Sequence, residues 1–391
     1  MTILPGYSPR EGETFPHQPV CHLHKSIYGL KQASRQWFHK FSRTLLQEGF
    51  YQSQCDYSLF VRQQGETFLA LLVYVDDIVI ASNDDQAVEE LKGTLKQKLK
   101  MKDLGTFRYF LGLEIARNDT GITLCQRKYA LDLLTETGYL GCKPSSIPMD
   151  PNIKMFKDDG ELLSDITSYR RLIGKLLYLT ISRPDICYSV NRLSQFLATP
   201  RTSHLQAALR ILQYIKRTPG QGLFFPSSSA IQIKAFSDAD WGTCPDTRRS
   251  LTGFCVFLGS SLVSWKLKKQ QVVSRSSAEA EYRSMANTTC EIVWTLKLLR
   301  DLKVQHQGPA LLYCDNQAAL HIASNPMYHE RTKHIELDCY FVREKIQDGT
   351  MKTMHISTRN QLADLMIKAL HPAQFANLLS KMGTINLYLP S

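Results

Sequence analysis

The stretch Ile231-Gln-Ile-Lys-Ala-Phe-Ser-Asp238 reads as a β-strand that runs out on an acid. Working outward from it, 252–258 and 262–266 read as further strands and 277–303 as a long helix. A strand at 310–314, helices at 316–323 and 334–347, a strand at 351–357 and a helix at 359–370 complete the pattern. Strands alternating with helices predict an α/β layer fold. Open α/β sheets present ligands where their strands end. Two acids sit at such ends, Asp238 and, after the apolar run Ala310–Cys314, Asp315.

Two more acids belong to helices. Ser276 and Glu279 have the S-x-x-E spacing of a capping box, which gives Glu279 a structural task. Glu281 instead shares its face with Met285, Ile292, Leu296 and Leu299, the inward stripe, and an inward acid needs a partner. Asp364 falls one turn into the last helix, with Thr358 and Gln361 spaced to cap it. Singly, each acid is an ordinary cap or turn residue. Together, without a Cys/His set beside them, they favour hard cations over zinc. Two Mg²⁺ ions about 4 Å apart, with Mn²⁺ as a substitute, would clamp a phosphodiester.

Upstream, Tyr74-Val75-Asp76-Asp77 lies between FLALLVYV and IVIA, a β-hairpin with two acids at its exposed tip. Adjacent carboxylates repel, and a divalent cation would offset that repulsion. Plain turn chemistry is the alternative. Residues 33–48 and 85–100 read as helices, Ser58–Arg62, Thr67–Val75 and Ile78–Ala81 as strands, and 108–117 with 122–126 as a hairpin. Within that hairpin Asp119-Thr-Gly121 resembles an aspartic-protease triplet but reads as a polar turn. Residues 144–165 hold three prolines and read as a linker, and 166–217 as helices broken at Arg183-Pro184 and Thr199-Pro200. Cys21, His22 and His24, and again His329 and His334, lack the second half of a zinc site. The four tryptophans, Trp37, Trp241, Trp265 and Trp294, read as core.

The chain has 391 residues and a formal charge of +11. Residues 1–150 are neutral, while 166–225 hold nine Lys/Arg against the single acid Asp185. The acid-free stretch 247–278 carries Arg248, Arg249, Lys266, Lys268, Lys269 and Arg275. Such stretches suit a phosphate backbone, although a solvated helix face explains any one of them equally well. The longest apolar run, Phe68–Val75, is far short of the ~20 residues of a membrane span. No basic region followed by an apolar stretch opens the chain, so no signal peptide is expected. Ten cysteines with no C-x-x-C pair fit a reduced, intracellular compartment.

SIYGLKQASRQW (26–37), LLVYVDD (71–77), YFLGLEIAR (109–117), YRRLIGKLLYLTISRPDI (169–186), SDADWG (237–242), SRSSAEAEYRSMA (274–286), YCDNQAA (313–319) and QLADLMIKAL (361–370) resemble, in colinear order, the pol product of copia-type LTR retrotransposons. The resemblance implies an α+β reverse transcriptase fingers/palm remnant over 1–143 and a linker with a helical, thumb- or connection-like region over 144–229. It further implies an RNase H-like α/β domain with a mixed sheet over 230–372, then a tail over 373–391. On that reading Asp76 and Asp77 match the paired metal-binding aspartates of the polymerase, and Asp238, Glu281, Asp315 and Asp364 the RNase H carboxylates. A third polymerase aspartate would stand just before the segment that Leu4-Pro5-Gly6 resembles, so the polymerase is expected to be incomplete and inactive in this chain. Met366 and Ile367 stand where the family usually carries Phe and Thr. His355 is the nearest counterpart of the mobile histidine of some RNases H. The implied partners are RNA/DNA hybrid, RNA and DNA, with self-association or other pol products besides, and the implied location is a cytoplasmic virus-like particle or the nucleus. The expected activity is Mg²⁺-dependent endonucleolytic cleavage of RNA in hybrids. The alternative is a catalytically dead relic that binds nucleic acid without cutting it.

Overall fold

The computed structural model describes residues 20, 27, 29–75, 77–325 and 335–387. The chain divides into two compact units, Met1–Gly105 and Thr106–Ser391. In the first, α1 (Ala33–Gln47) leads to β1 (Tyr51–Gln52), β2 (Leu59–Gln64), β3 (Thr67–Tyr74) and β4 (Asp77–Ser82), and then to α2 (Asp85–Lys98). The four strands form one antiparallel sheet in sequence order. Its core joins Phe41 and Leu45 of α1, Phe60, Leu69, Leu71 and Val73 of the sheet, and Leu91 and Leu95 of α2. The Asp84 carboxylate caps α2 by accepting from the Gln86 and Ala87 N–H groups.

The second unit contains two five-stranded sheets. One is antiparallel, in the order β14-β8-β7-β6-β5, from β5 (Tyr109–Phe110), β6 (Leu113–Asn118), β7 (Gly121–Cys125), β8 (Gln221–Pro226) and β14 (Thr384–Asn386). Between β7 and β8 run α3 (Arg127–Glu136), α4 (Ile166–Leu179), α5 (Cys187–Ser194) and α6 (Thr202–Arg217). The other sheet has the order β11-β10-β9-β12-β13. Here β9 (Ile233–Asp240), β10 (Leu251–Leu258) and β11 (Ser261–Lys269) pair antiparallel, whereas β12 (Ala310–Cys314) and β13 (Met351–His355) join β9 in parallel. The helices around it are α7 (Ser277–Asp301), α8 (Gln317–Ser324), α9 (Glu336–Gln347), α10 (Asp364–Ile367) and α11 (Pro372–Leu379). The chain is α/β, with one mixed sheet.

Both faces of the mixed sheet are covered, as strand alternation requires. On one face Ile233, Ala235, Phe254, Val256 and Leu312 pack against Tyr282, Met285 and Ile292 of α7 and Val342 of α9. On the other, Leu251, Cys255, Phe257 and Leu262 share a core with Ile173 and Leu176 of α4, Val190 and Leu193 of α5, Ile211 of α6 and Leu365–Ile367 of α10. A buried Arg183 locks this layer: it donates to Asp185 from Nε and Nη2 and to the Thr218 carbonyl from Nη1, while the Tyr214 hydroxyl donates to Asp185.

Several expectations need revision. The units part at Gly105/Thr106, not near 143/144, because β5–β7 continue through β7 into one sheet with β8 and β14, far later in the sequence. The 144–165 segment is not a solvated linker, since Ile147, Met149 and Met155 are buried in the helical layer. Residues past 372 are not a free tail, since Phe375, Leu378 and Met382 enter the same core. The helix expected over 359–370 is a 3₁₀ turn (Thr358–Asn360) followed by the short α10. Trp241 and Trp294 are surface residues, 51% and 41% exposed, while Trp37 and Trp265 pack on cores.

Candidate functional site

Three of the four predicted acids are buried together at the end of the mixed sheet. Asp238 is 2% exposed on β9, Glu281 5% on α7 and Asp364 1% at the first residue of α10. Asp315, half-buried, follows β12. Glu281, Cys314 and Asp315 bring potential ligand atoms within 4.8 Å of one another. Burial pushes the Cys314 thiol well up, which leaves the carboxylate oxygens as the donors and suits a hard cation.

Polar bonds hold the elements in register. Ser237 Oγ donates to Ser284 Oγ, which donates to the Asp238 carbonyl, tying α7 to the end of β9. Gln361 Nε2 donates to the Ser237 carbonyl, tying down the entry to α10. Thr358 Oγ1 donates to Asp315 Oδ2 at 2.8 Å. Thr358 is therefore spent on the site rather than on a helix cap, and Gln361 both reaches the strand and accepts from the Ala363 N–H at the entry to α10. Ser276 does cap α7, and the Glu279 carboxylate accepts from the Arg275 N–H and pairs with Arg283, as its structural reading requires.

Sequence reading missed Lys368. Its ammonium lies 2.8 Å from Asp238 Oδ2 and 2.6 Å from Asp364 Oδ1, a positive charge seated on two buried acids. The signal was its i+4 spacing from Asp364. Asp240 was missed too: it follows Asp238 by two on the strand, and burial raises its pKa while Lys368 lowers it. The cluster shares protons. Burial pushes Glu281 up to about 10, reinforced by the Asp238 charge. Burial and a hydrogen bond with Asp238 lift Asp364 to about 8. Burial also works against ionised Asp238, but its bond from Asp364 and the Lys368 charge outweigh that and hold it at about 2. An all-oxygen set crowded enough to retain protons and draw in a lysine fits divalent cations.

The remaining predicted residues are dispersed. Asp77 begins β4, exposed, opposite Tyr74, and Val75 at the hairpin tip holds φ 53°, a strained value for a β-branched residue. Asp76 lies outside the described residues, as do Cys21, His22, His24, His329 and His334. Arg248 and Arg249 are exposed between β9 and β10, and Arg275 is exposed before α7. Lys266 and Lys268 stand on one face of β11, two strands from β9 and so roughly 10 Å away. Lys269 is turned toward the Cys244 thiol at 3.0 Å. Of the cations in 166–225, Arg183, Lys175, Arg192 and Arg201 are committed to internal bonds, which leaves less of a phosphate-binding face than their number promised. His355 ends β13, exposed and in register with Cys314. Asn118 closes the Asp119-Thr120 turn by accepting from the Thr120 and Gly121 N–H groups, which accounts for that triplet.

The fold is a mixed α/β sheet with buried carboxylates clustered at its end. Residues 8–151 match the family "Reverse transcriptase (RNA-dependent DNA polymerase)". The chain is 44% identical to the "Retrovirus-related Pol polyprotein from transposon RE1" of Arabidopsis thaliana, over 98% of this chain and 26% of that protein. It is 33% identical to a putative transposon Ty5-1 protein of Saccharomyces cerevisiae, over 70% of this chain and 90% of that one. The chain belongs to the retrovirus-related Pol proteins of copia-type transposons, and it spans about a quarter of the length of the curated Pol polyproteins it matches. The likeness to a solved RNase H domain from Mycobacterium tuberculosis covers 39% of this chain and 98% of that chain at 10% identity, and its TM-score of 0.26 carries no argument.

Proposed function

We propose that the second unit is a divalent-cation-dependent endoribonuclease that cuts RNA in RNA/DNA hybrids, encoded in one chain with an incomplete reverse-transcriptase-like unit. The observation that supports this reading is the convergence of Asp238, Glu281 and Asp364, with Asp315 beside them, at the end of one mixed sheet. When bound there, Mg²⁺ ions supply charge stabilisation to a phosphodiester and to its departing 3′ oxygen. The chain's own residues prepare the place. The Ala239 N–H orients the Asp238 carboxylate and Thr358 orients Asp315. The protons on Glu281 and Asp364 must leave as cations enter. The 2′-hydroxyl, both donor and acceptor, is the group by which RNA is told from DNA.

The test is cleavage of an end-labelled RNA/DNA hybrid with Mg²⁺, run beside Asp315→Asn. Asp315 is the least buried of the four acids, so the substitution spares the core. The parent is expected to cut, leaving 5′-phosphate and 3′-hydroxyl ends, and the variant to lose cleavage. Equal behaviour of the two proteins would sink the site assignment. A second reading, a silent relic that binds nucleic acid, draws on Lys368, whose ammonium pairs with both Asp238 and Asp364 and would compete with a cation for them. Salt-sensitive hybrid binding with no cleavage in Mg²⁺ or Mn²⁺ would select it.

A further inference from the structure

Trp241 follows β9 directly, three residues beyond Asp238. Its indole N–H donates to the Ser274 carbonyl at 2.9 Å, yet the side chain is 51% exposed. The ring is thus pinned at one edge between the strand that delivers Asp238 and the segment that leads into α7 and Glu281. Its other surface faces solvent, with no core to fill. The next residue, Gly242, has φ 63°, and a Cβ there would lie 3.9 Å from Arg248 Nη2, so the Arg248 guanidinium stands alongside the turn. Arg248 is exposed, itself holds φ 53°, and makes no ion pair among the described residues. Val272 and Val273, just before Ser274, are about half exposed as well. A tethered aromatic ring, an uncommitted guanidinium and two exposed apolar side chains therefore lie on the segments that follow Asp238 and lead into the helix of Glu281.

We propose that Trp241 is a specificity-determining residue, its indole face packing on the riboses in the minor groove of an RNA/DNA hybrid while Arg248 takes a flanking phosphate. This rests on the nuclease reading and adds the means of substrate choice. The B-DNA minor groove is only about 6 Å wide, and a flat indole held rigidly at one edge does not fit it face-on. A-like duplexes present a wide, shallow minor groove lined with 2′-hydroxyls, which accepts such a ring. The Arg248 contact is charge-driven and indifferent to the sugar, so it adds affinity without discrimination.

The experiment compares equilibrium binding of a labelled RNA/DNA hybrid and of duplex DNA of the same sequence. The full chain is used with Asp315→Asn throughout, so that the hybrid survives. Trp241→Ala is expected to weaken hybrid binding roughly tenfold while duplex DNA changes less than about twofold. Trp241→Phe, which keeps a ring and loses the tether to Ser274, is expected to retain part of the hybrid preference. Arg248→Ala is expected to weaken both duplexes alike and to reduce the salt dependence. Equal losses on both duplexes for Trp241→Ala, or no loss, would overturn the role given to the ring, as would full loss of preference in Trp241→Phe with unchanged thermal unfolding. A parent chain that neither prefers nor cuts hybrid would instead remove the nuclease reading, and this proposal with it; that result is read from the parent alone.

Discussion

The acid cluster sets a definite pH response. Glu281 and Asp364, ordinarily near 4.5 and 3.8, are lifted to about 10 and about 8. Between those limits the folded chain holds protons that the unfolded chain has released, so stability falls as pH rises. Asp238, held at about 2, acts the other way, and its contribution is lost only as pH falls below its ordinary 3.8. The metal-free protein is therefore expected to lose several degrees of melting temperature between about pH 5 and about pH 8. Mg²⁺ should restore more at the upper pH, because fewer protons then compete for its ligands. Thermal unfolding with chelator or Mg²⁺ at both pH values measures this, and a flat chelator curve would discard the shared-proton account. At this scale Glu281 was legible because it broke an apolar stripe, whereas Asp238, Asp315 and Asp364 stood out only as members of one set. Lys368 and Asp240 broke none. A lysine near a helix end and a second aspartate on a strand look ordinary until tertiary packing brings them to the other acids.

Among the elements, β10 and α10 are coupled through Gly253. It sits in register with Asp238, and a Cβ there would come 2.3 Å from Ile367 Cγ2 and 3.0 Å from Met366 Cβ. The missing side chain is what lets α10 bring Asp364 up to β9. Met366 and Ile367, the two departures from the family pattern, are thus fully buried packing residues and not part of the chemistry. Gly253→Ala should cost about 1–3 kcal/mol of stability by overpacking and should weaken Mn²⁺ binding by displacing Asp364. Denaturant unfolding and a Mn²⁺ titration check both, and an unchanged variant would show that α10 yields without harm. Long, strongly patterned elements such as α1, α7 and β12 were readable from periodicity alone. α10 was not, because Thr358 and the Gln361 amide N–H bond to distant partners, which a local capping rule cannot anticipate. β8 and β14 were missed for a related reason: they are short, flanked by turn residues, and take their meaning from each other.

At the largest scale, the region between 144 and 217 is a structural layer of the mixed sheet. Removing it uncovers Leu251, Cys255, Phe257 and Leu262 together with the buried face of α10. A chain of residues 106–391 is expected to unfold cooperatively, whereas residues 230–372 alone should bind a hydrophobic dye and lack a sharp transition. Cooperative unfolding of the shorter chain would refute the shared-core account. None of this was visible in composition, where proline content alone suggested a linker and charge suggested a binding face. The pairing of β14 with β8 bears on how copies of such an element decay. A reading frame broken after Lys368 still encodes every carboxylate of the cluster, so a motif search would score that copy as intact. Its product would lack Phe375, Leu378 and Met382 from the core and the strand that closes the antiparallel sheet. Residues that carry no chemistry of their own thus decide whether the acids of such a copy are held in place.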